Sequence, residues 1–356
     1  MRLARIDRSD DASFIAAWHT GALCEPRFLS KHWIEALLRT IPERLTLHAL
    51  IEGDQPRAVL GQSLELRHRL VKVRRWHLNE TGDRIFDRIT LEYNGFAGQG
   101  DEPASAERRF AWLLAHLPDM DELVARNATA ETGAALRAAA MASGWKVRQT
   151  NVAPAPTLDL QTVRAADGEF IATLGKNTRA AIRRATRLYE EIGPIRLERA
   201  ETVADALAWF ERLEALHIES WQDRSAVHAF SNPYFRPFHQ HLIQAGYAQG
   251  RVDMLRIRAG NREIGYLYNL VCGGRVMAYQ SGFAAATDNR WKPGLVSHCA
   301  AIDFCLRRGD RIYDFLAGPA RYKVSLANGE TPMESLVAFA PRWHLRLEDM
   351  LRQLRS

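Results

Sequence analysis

Two stretches of this chain hold residues whose types and spacing suit an anionic ligand. The first lies within Val276–Lys323, at Lys292-Pro293-Gly294-Leu295. Pro fits the first turn of a helix, where its missing N–H would go unpaired anyway. Such a helix start offers open N–H groups and the positive end of a dipole, a setting that accepts phosphate. Gly294 would let backbone approach a pyrophosphate with no Cβ in the way. The second stretch, Lys176–Ile192, places Arg179, Arg183 and Arg187 at i, i+4 spacing, with Ile182, Ala185 and Tyr189 on the apolar side. A solvated helix face and a site for an anionic substrate both fit this pattern. No aromatic residues interleave with the arginines, which argues against RNA.

Other candidates are weaker. His239 and His241 point to different faces of a helix and have no evident carboxylate partner, so no metal site is expected. His298 is read as a core residue or a support behind the site. The chain shows no nucleophile elbow, P-loop or dinucleotide fingerprint.

The elements that must position these residues follow from periodicity. Val276–Phe283 reads as a strand, Pro293–Arg308 as a helix stopped by Gly309, and Ile312–Leu316 as a second strand. Tyr322 and Lys323 fall at the next turn or helix. Upstream, Val252–Ala259, Ile264–Val271 and Val276–Phe283 form a meander with turns at Gly260-Asn261 and Gly273-Gly274. Thr202-x-x-Asp205 resembles a capping box before a helix, and Glu169–Leu174 also reads as helical.

In the first half, helices are expected over Asp11–Leu23 and Ser30–Ile41, with Ser30 as N-cap. Strands are expected over Leu45–Ile51, Ala58–Leu70, Val71–Leu78, Arg84–Tyr93 and Glu122–Arg126. Helices at Glu107–Leu117 and Thr132–Met141 alternate with them, and further strands fall at Trp145–Thr150 and Thr157–Leu160. Val152–Pro156 reads as a linker or an edge connection, and Ser335–Ala340 as a last strand. The tail from His344 to Arg355 reads as a basic amphipathic helix. Both halves share a layout of two helices, a hairpin and alternating elements, which suggests a degenerate tandem repeat. The expected domains are 1–155, 156–342 and a C-terminal helix at 343–356.

With 356 residues and 47% apolar content, the chain can bury a substantial core. No apolar run is long enough to span a bilayer, and the N-terminus shows no secretory signal. The four cysteines, Cys24, Cys272, Cys299 and Cys305, form no CxxC pair and suit a reducing cytoplasm. A net charge of +6 is compatible with anionic ligands and decides nothing by itself.

The second half resembles the GNAT superfamily of acyltransferases, and within it the tandem group of CelD-like proteins and FemABX peptidyl transferases. Lys176–Ala185 looks like that group's basic helix. Tyr279-Gln280-Ser281-Gly282-Phe283 sits where its fourth strand ends. Lys292-Pro293-Gly294-Leu295 is similar to its CoA-side helix start, with Lys in place of Ser. Tyr313-Asp314-Phe315-Leu316 and Tyr322-Lys323 resemble its closing motif. The longer R/Q-x-x-G-x-G/A signature of ordinary GNAT enzymes is missing. The resemblance implies an α+β fold of two GNAT-like domains, each a mostly antiparallel sheet flanked by helices.

It also implies an N-acyltransferase using acetyl-CoA or another acyl-CoA, in which an amine attacks the thioester directly. The pyrophosphate would meet Lys292, Pro293, Gly294 and Leu295. The oxyanion would meet backbone donors at Gln280, Ser281, Gly282 and Phe283, with Gly282 the natural place for a bulge or a ligand approach. Asp314 could orient or deprotonate the amine, or it could be a turn residue. Tyr322 could protonate the thiolate, or it could be core. Lys323 resembles a lysine that stabilises developing negative charge in the peptidyl transferases. Arg179 and Arg183 would bind an anionic substrate or a CoA phosphate. The acceptor would be a small-molecule or cell-envelope-precursor amine, with no DNA and no metal. Two other readings remain open: transfer from aminoacyl-tRNA, as in FemABX proteins, and a non-catalytic binding role on the same fold.

Overall fold

The computed structural model describes residues 1–7, 11–18, 27–67, 71–98, 103–166, 169–222, 227–286, 288–318, 320–343 and 345. The chain forms two compact units. Unit 1 comprises Met1–Ala153 and Pro332–Ser356, and unit 2 comprises Pro154–Thr331.

Unit 1 carries β1 (Arg2–Arg5), α1 (Asp11–Ala17), α2 (Lys31–Thr40), β2 (Leu47–Glu52), β3 (Gln55–Arg67), β4 (Val71–Leu78), α3 (Pro103–His116), β5 (Glu122–Ala128) and α4 (Ala130–Ala142). Its strands run in the order β1-β2-β3-β4-β5 and continue to β12 (Gly329–Phe339), whose larger part belongs to this unit. All neighbours are antiparallel except β4 and β5. Trp76, Phe96, Phe110 and Leu123 lie in its core. Ser30 caps α2 by accepting the Trp33 N–H, which satisfies one of the orphan donors at a helix start.

Unit 2 carries the end of β6 (Lys146–Asp159), then α5 (Leu160–Ala165), α6 (Lys176–Glu190), β7 (Ile195–Arg199), α7 (Val203–Trp221), α8 (Phe235–Gly246), β8 (Val252–Ala259), β9 (Arg262–Cys272), β10 (Arg275–Phe283), α9 (Pro293–Arg308), β11 (Ile312–Asp314) and α10 (Arg321–Leu326). Its strand order is β6-β11-β10-β9-β8-β7. Among its described strands, only β10 and β11 pair in parallel. Thr202 and Asp205 form the expected capping box at α7. Gly309 ends α9 in the left-handed conformation, φ 91°. Leu267, Val276, Ile302, Cys305 and Tyr313 join the core beneath α6 and α9.

Three expectations need correction. Residues 84–93 form no strand. Asp83 accepts the N–H groups of Ile85 and Phe86, and Asp87 accepts those of Thr81 and Gly82. Carboxylates that bond nearby backbone favour turns over a ladder, and the segment holds a short 3-10 turn at Phe86–Arg88. Val152–Pro156 lies inside the continuous strand β6. Pro154 and Pro156 are two residues apart, so both missing N–H groups fall on one edge and the other edge keeps its donors. Glu169–Leu174 is shortened to a 3-10 turn, Phe170–Thr173. The end of the expected first helix from residue 19, Cys24, and the expected C-terminal helix (343–356, apart from 343 and 345) lie outside the described residues.

Candidate active site

The site of unit 2 begins where two strands part. β10 and β11 run together for three residue pairs, Arg275 with Ile312, Val276 with Tyr313 and Met277 with Asp314. β11 then ends, while β10 continues to Phe283. Ala278 faces Asn269 and Gln280 faces Tyr268, so Tyr279 is the extra residue of a bulge. A bulge bends and twists its strand, and here it re-aims the edge of β10 just after the pair ends. Beyond it, the Ser281 N–H donates to Gln280 Oε1 at 2.9 Å. The Ser281 carbonyl accepts from His217 Nδ1 at 3.1 Å, which fixes the proton on that nitrogen because a carbonyl can only accept.

Gly282 has a different task from the expected one. A Cβ there would collide with the Leu213 carbonyl, so this glycine lets α7 lie against β10. That close approach also brings His217, one turn beyond Leu213, to Ser281.

The predicted phosphate loop adopts the expected helix start. Lys292 is left-handed, φ 44° and ψ 55°, and its ammonium donates to Asn289 Oδ1. Pro293 occupies the first turn of α9. Val296 makes the first helical bond, to Lys292 O, so Gly294 and Leu295 present N–H groups with no partner inside the helix. Gly294 also makes room for the Phe283 ring, which would lie 3.2 Å from a Cβ.

Across the gap, Asp314 is fully buried. One oxygen pairs with Arg275 at 2.6 Å and the other accepts the Leu316 N–H at 2.8 Å. The second bond braces Leu316, which sits at φ 59°, a backbone that side chains rarely adopt. Lys323 donates to the carbonyls of Leu316 (3.2 Å) and Ala317 (2.8 Å). Asp314 and Lys323 therefore clamp one loop from both ends. Tyr322 stacks on His298, ring centres 5.0 Å apart and planes 21° apart. Burial pushes its hydroxyl up to about 12, so it stays protonated at neutral pH.

Sequence reasoning placed His298 in the core and gave His217 no role. His298 is buried against Phe283, Phe315 and Tyr322, with Nδ1 2.9 Å from the Tyr313 hydroxyl. Burial, aided by Lys323, lowers its pKa to about 3 and keeps the ring neutral. Of the predicted substrate arginines, Arg179 donates to Ala172 O at 3.0 Å and Arg183 is exposed on α6. His239 is a core residue beside the Tyr268 hydroxyl. Among the described residues, one cluster has metal-ligand chemistry: His77, Glu80 and Asp87 in unit 1. The Arg126 guanidinium already supplies its positive charge.

The model of the acetyltransferase (GNAT) domain family matches residues 176–324, nearly all of unit 2 downstream of α5. Solved structures share the fold over the whole chain. FemX aligns at 10% identity and TM-score 0.54, covering 97% of this chain and 98% of its own. The C-terminal domain of a putative lysylphosphatidylglycerol synthetase from Agrobacterium fabrum aligns at 10% and 0.54, covering 94% and 93%. The L-PGS structure from Bacillus licheniformis aligns at 10% and 0.52, covering 97% and 95%. No curated protein sequence matches this chain. The chain shares its fold with these structures over nearly its whole length, and residues 176–324 of unit 2 match the acetyltransferase (GNAT) domain. Among the described residues, no helix is long and apolar enough to cross a membrane.

Proposed function

We propose that unit 2 transfers an acyl group from an acyl-CoA to an amine by direct attack on the thioester, in the cytoplasm. The observation that carries this reading is the parting of β10 and β11 beside the open N–H groups of Gly294 and Leu295. A helix start binds the pyrophosphate, and the bulged edge of β10 receives the thioester. The Ser281 N–H exchanges Gln280 Oε1 for the thioester oxygen and steadies the charge that develops there. The amine nitrogen bonds to the acyl carbon and the C–S bond breaks. The amine gives up its proton to solvent water, and the leaving thiolate gains one from solvent or from the Tyr322 hydroxyl, which is then reprotonated by solvent. Asp314 and Lys323 hold the loop after β11 in place, and Lys323 keeps a positive charge near the developing anion. Arg183 faces solvent on α6, where it can meet a CoA phosphate. The acceptor is a small-molecule amine or an amine-bearing cell-envelope precursor.

Calorimetric titration with acetyl-CoA and longer acyl-CoAs tests this reading. Saturable binding supports it, and the absence of binding by every CoA ester overturns it. One feature favours a second reading, aminoacyl-tRNA as donor: Arg183, Arg184 and Arg187 are all exposed along α6. That reading requires tRNA binding at low salt that weakens steeply as salt is raised.

A further inference from the structure

The α9 side of the parted strands contains a polar atom that the fold leaves without a partner. His298 is 1% exposed, and its Nε2 makes no hydrogen bond. Its other nitrogen is committed to Tyr313. The faces and edges of the ring meet Phe283, Tyr313, Phe315 and Tyr322, none of which offers Nε2 a hydrogen bond. These four residues come from the end of β10, from β11, from the loop after it and from α10. The ring therefore sits among the elements that border the gap. A buried nitrogen left unpaired costs stability, whereas a phenyl ring of similar shape would avoid that cost. The neighbouring Ser297 on α9 repeats the pattern, being fully buried with an unpartnered hydroxyl.

We propose that His298 Nε2 is the hydrogen-bonding group for the slender arm of the acyl donor, a chain of methylenes carrying amide and thioester groups, in the aromatic slot between β10 and β11. This rests on the acyl-CoA reading above. The slot's rings contact the apolar parts of such an arm, and the one unmet nitrogen takes its polar atom. The ring is held neutral, so it contributes a dipole to the arm and no charge. The Tyr322 ring, stacked on His298, completes the wall next to the thioester. His298 is a binding residue on this account, with no proton transferred through it.

The test separates the arm from the nucleotide. Acetyl-CoA and adenosine 3′,5′-bisphosphate, which lacks the arm, are titrated into the full chain and its Tyr313→Phe and Tyr313→Phe/His298→Phe variants. The last two differ only at the ring of interest. Between them, acetyl-CoA affinity is expected to fall about tenfold, as for one lost hydrogen bond, with bisphosphate affinity unchanged. The melting temperature is expected to stay level or rise by about 2–4 °C. In the unmodified chain, the 15N resonance of His298 Nε2 should shift on adding acetyl-CoA and stay put with the bisphosphate, a readout independent of how the variants fold. Equal acetyl-CoA affinity in the two variants, or an unmoved Nε2 resonance in chain saturated with acetyl-CoA, overturns the inference alone. Failure of the unmodified chain to bind acetyl-CoA overturns the acyl-CoA reading and this inference together.

Discussion

The two units answer the same geometric problem in opposite ways. In each, a pair of parallel strands holds together for three residue pairs and then ends: Arg75–Glu122, Trp76–Leu123 and His77–Val124 in unit 1, and Arg275–Ile312, Val276–Tyr313 and Met277–Asp314 in unit 2. In each, a helix starting with Pro lies between the two strands in sequence, α3 or α9. Unit 1 closes the space beyond its pair with its own chain. Asn94 bridges to Ala128, its N–H bonds Asn127 O, its amide nitrogen bonds Leu78 O, and its amide oxygen accepts from Asn79. Asn79 in turn bonds Val59 N and Gly95 O. In unit 2, Phe315 and Tyr322 beyond the pair pack on His298, whose Nε2 has no partner, and the Ser281 N–H bonds the neighbouring Gln280 side chain. Beyond the paired strands, the buried asparagines of unit 1 bond one another and nearby backbone, whereas His298 Nε2 in unit 2 has no partner.

The largest effect expected is on acid stability, and it tests whether buried imidazoles serve both units alike. Burial lowers the pKa of His77 in unit 1 and of His239 and His298 in unit 2 to about 3. Below pH 6.5 the unfolded chain takes up protons that these folded sites refuse, so their contribution is complete above pH 6.5 and is lost as pH falls toward 3. Melting temperatures taken from pH 7 downward should drop steadily, and less steeply in the His298→Phe chain. A pH-independent melting temperature over that window would remove the neutral-imidazole assignment.

Next in size is Asn94→Ala. It strips partners from the Asn79 amide and the Leu78 carbonyl, and is expected to cost about 3 kcal/mol by denaturant unfolding while leaving acetyl-CoA affinity within a factor of two. A large loss of affinity would show that the closed gap of unit 1 has a share in binding. Gly282→Ala forces α7 and β10 apart, at a cost of about 2 kcal/mol. Because it shifts Ser281 and His217 as well, it should also abolish acetyl-CoA binding, the reverse of the Asn94 pattern. The smallest effect on stability, about 1–2 kcal/mol, is expected for Lys323→Met, which releases the Leu316 and Ala317 carbonyls. Its transfer rate should fall at least tenfold with little change in donor affinity. A variant with normal turnover would leave Lys323 as a loop clamp only.

Local signals read well from sequence. The Ser30 cap, the Thr202–Asp205 box, the Pro293 start and the Gly309 stop each depend on a few adjacent residues, and each is present. What escaped depends on distant partners. Residues 84–93 have strand-like composition, yet Asp83 and Asp87 turn them by bonds to local backbone, and Asn79 and Tyr93 adopt positive φ. Asn94-Gly95 reads as an ordinary loop until Asn79 and Leu78 are seen beside it. Gly282 suggested a bulge or a ligand, but the reason for its missing side chain lies on α7, about 70 residues away in sequence. His298 looked like a core residue and is one. Only its surroundings show that half of the ring has nothing to bond.

The path of the chain bears on the order in which the protein can be made. β5 is completed on one edge by the later part of β12, with Leu336 facing Ala125 and Phe339 facing Glu122. Roughly two hundred residues separate the two strands, and all of unit 2 lies in that interval. On the ribosome, β5 must therefore wait with an open edge while residues 154–331 emerge as one uninterrupted piece. Domains tend to fold as they are completed, so unit 2 gains its structure first. Unit 1 is sealed last, and until then its β5 edge is the place where a nascent chain would pair wrongly with a neighbour.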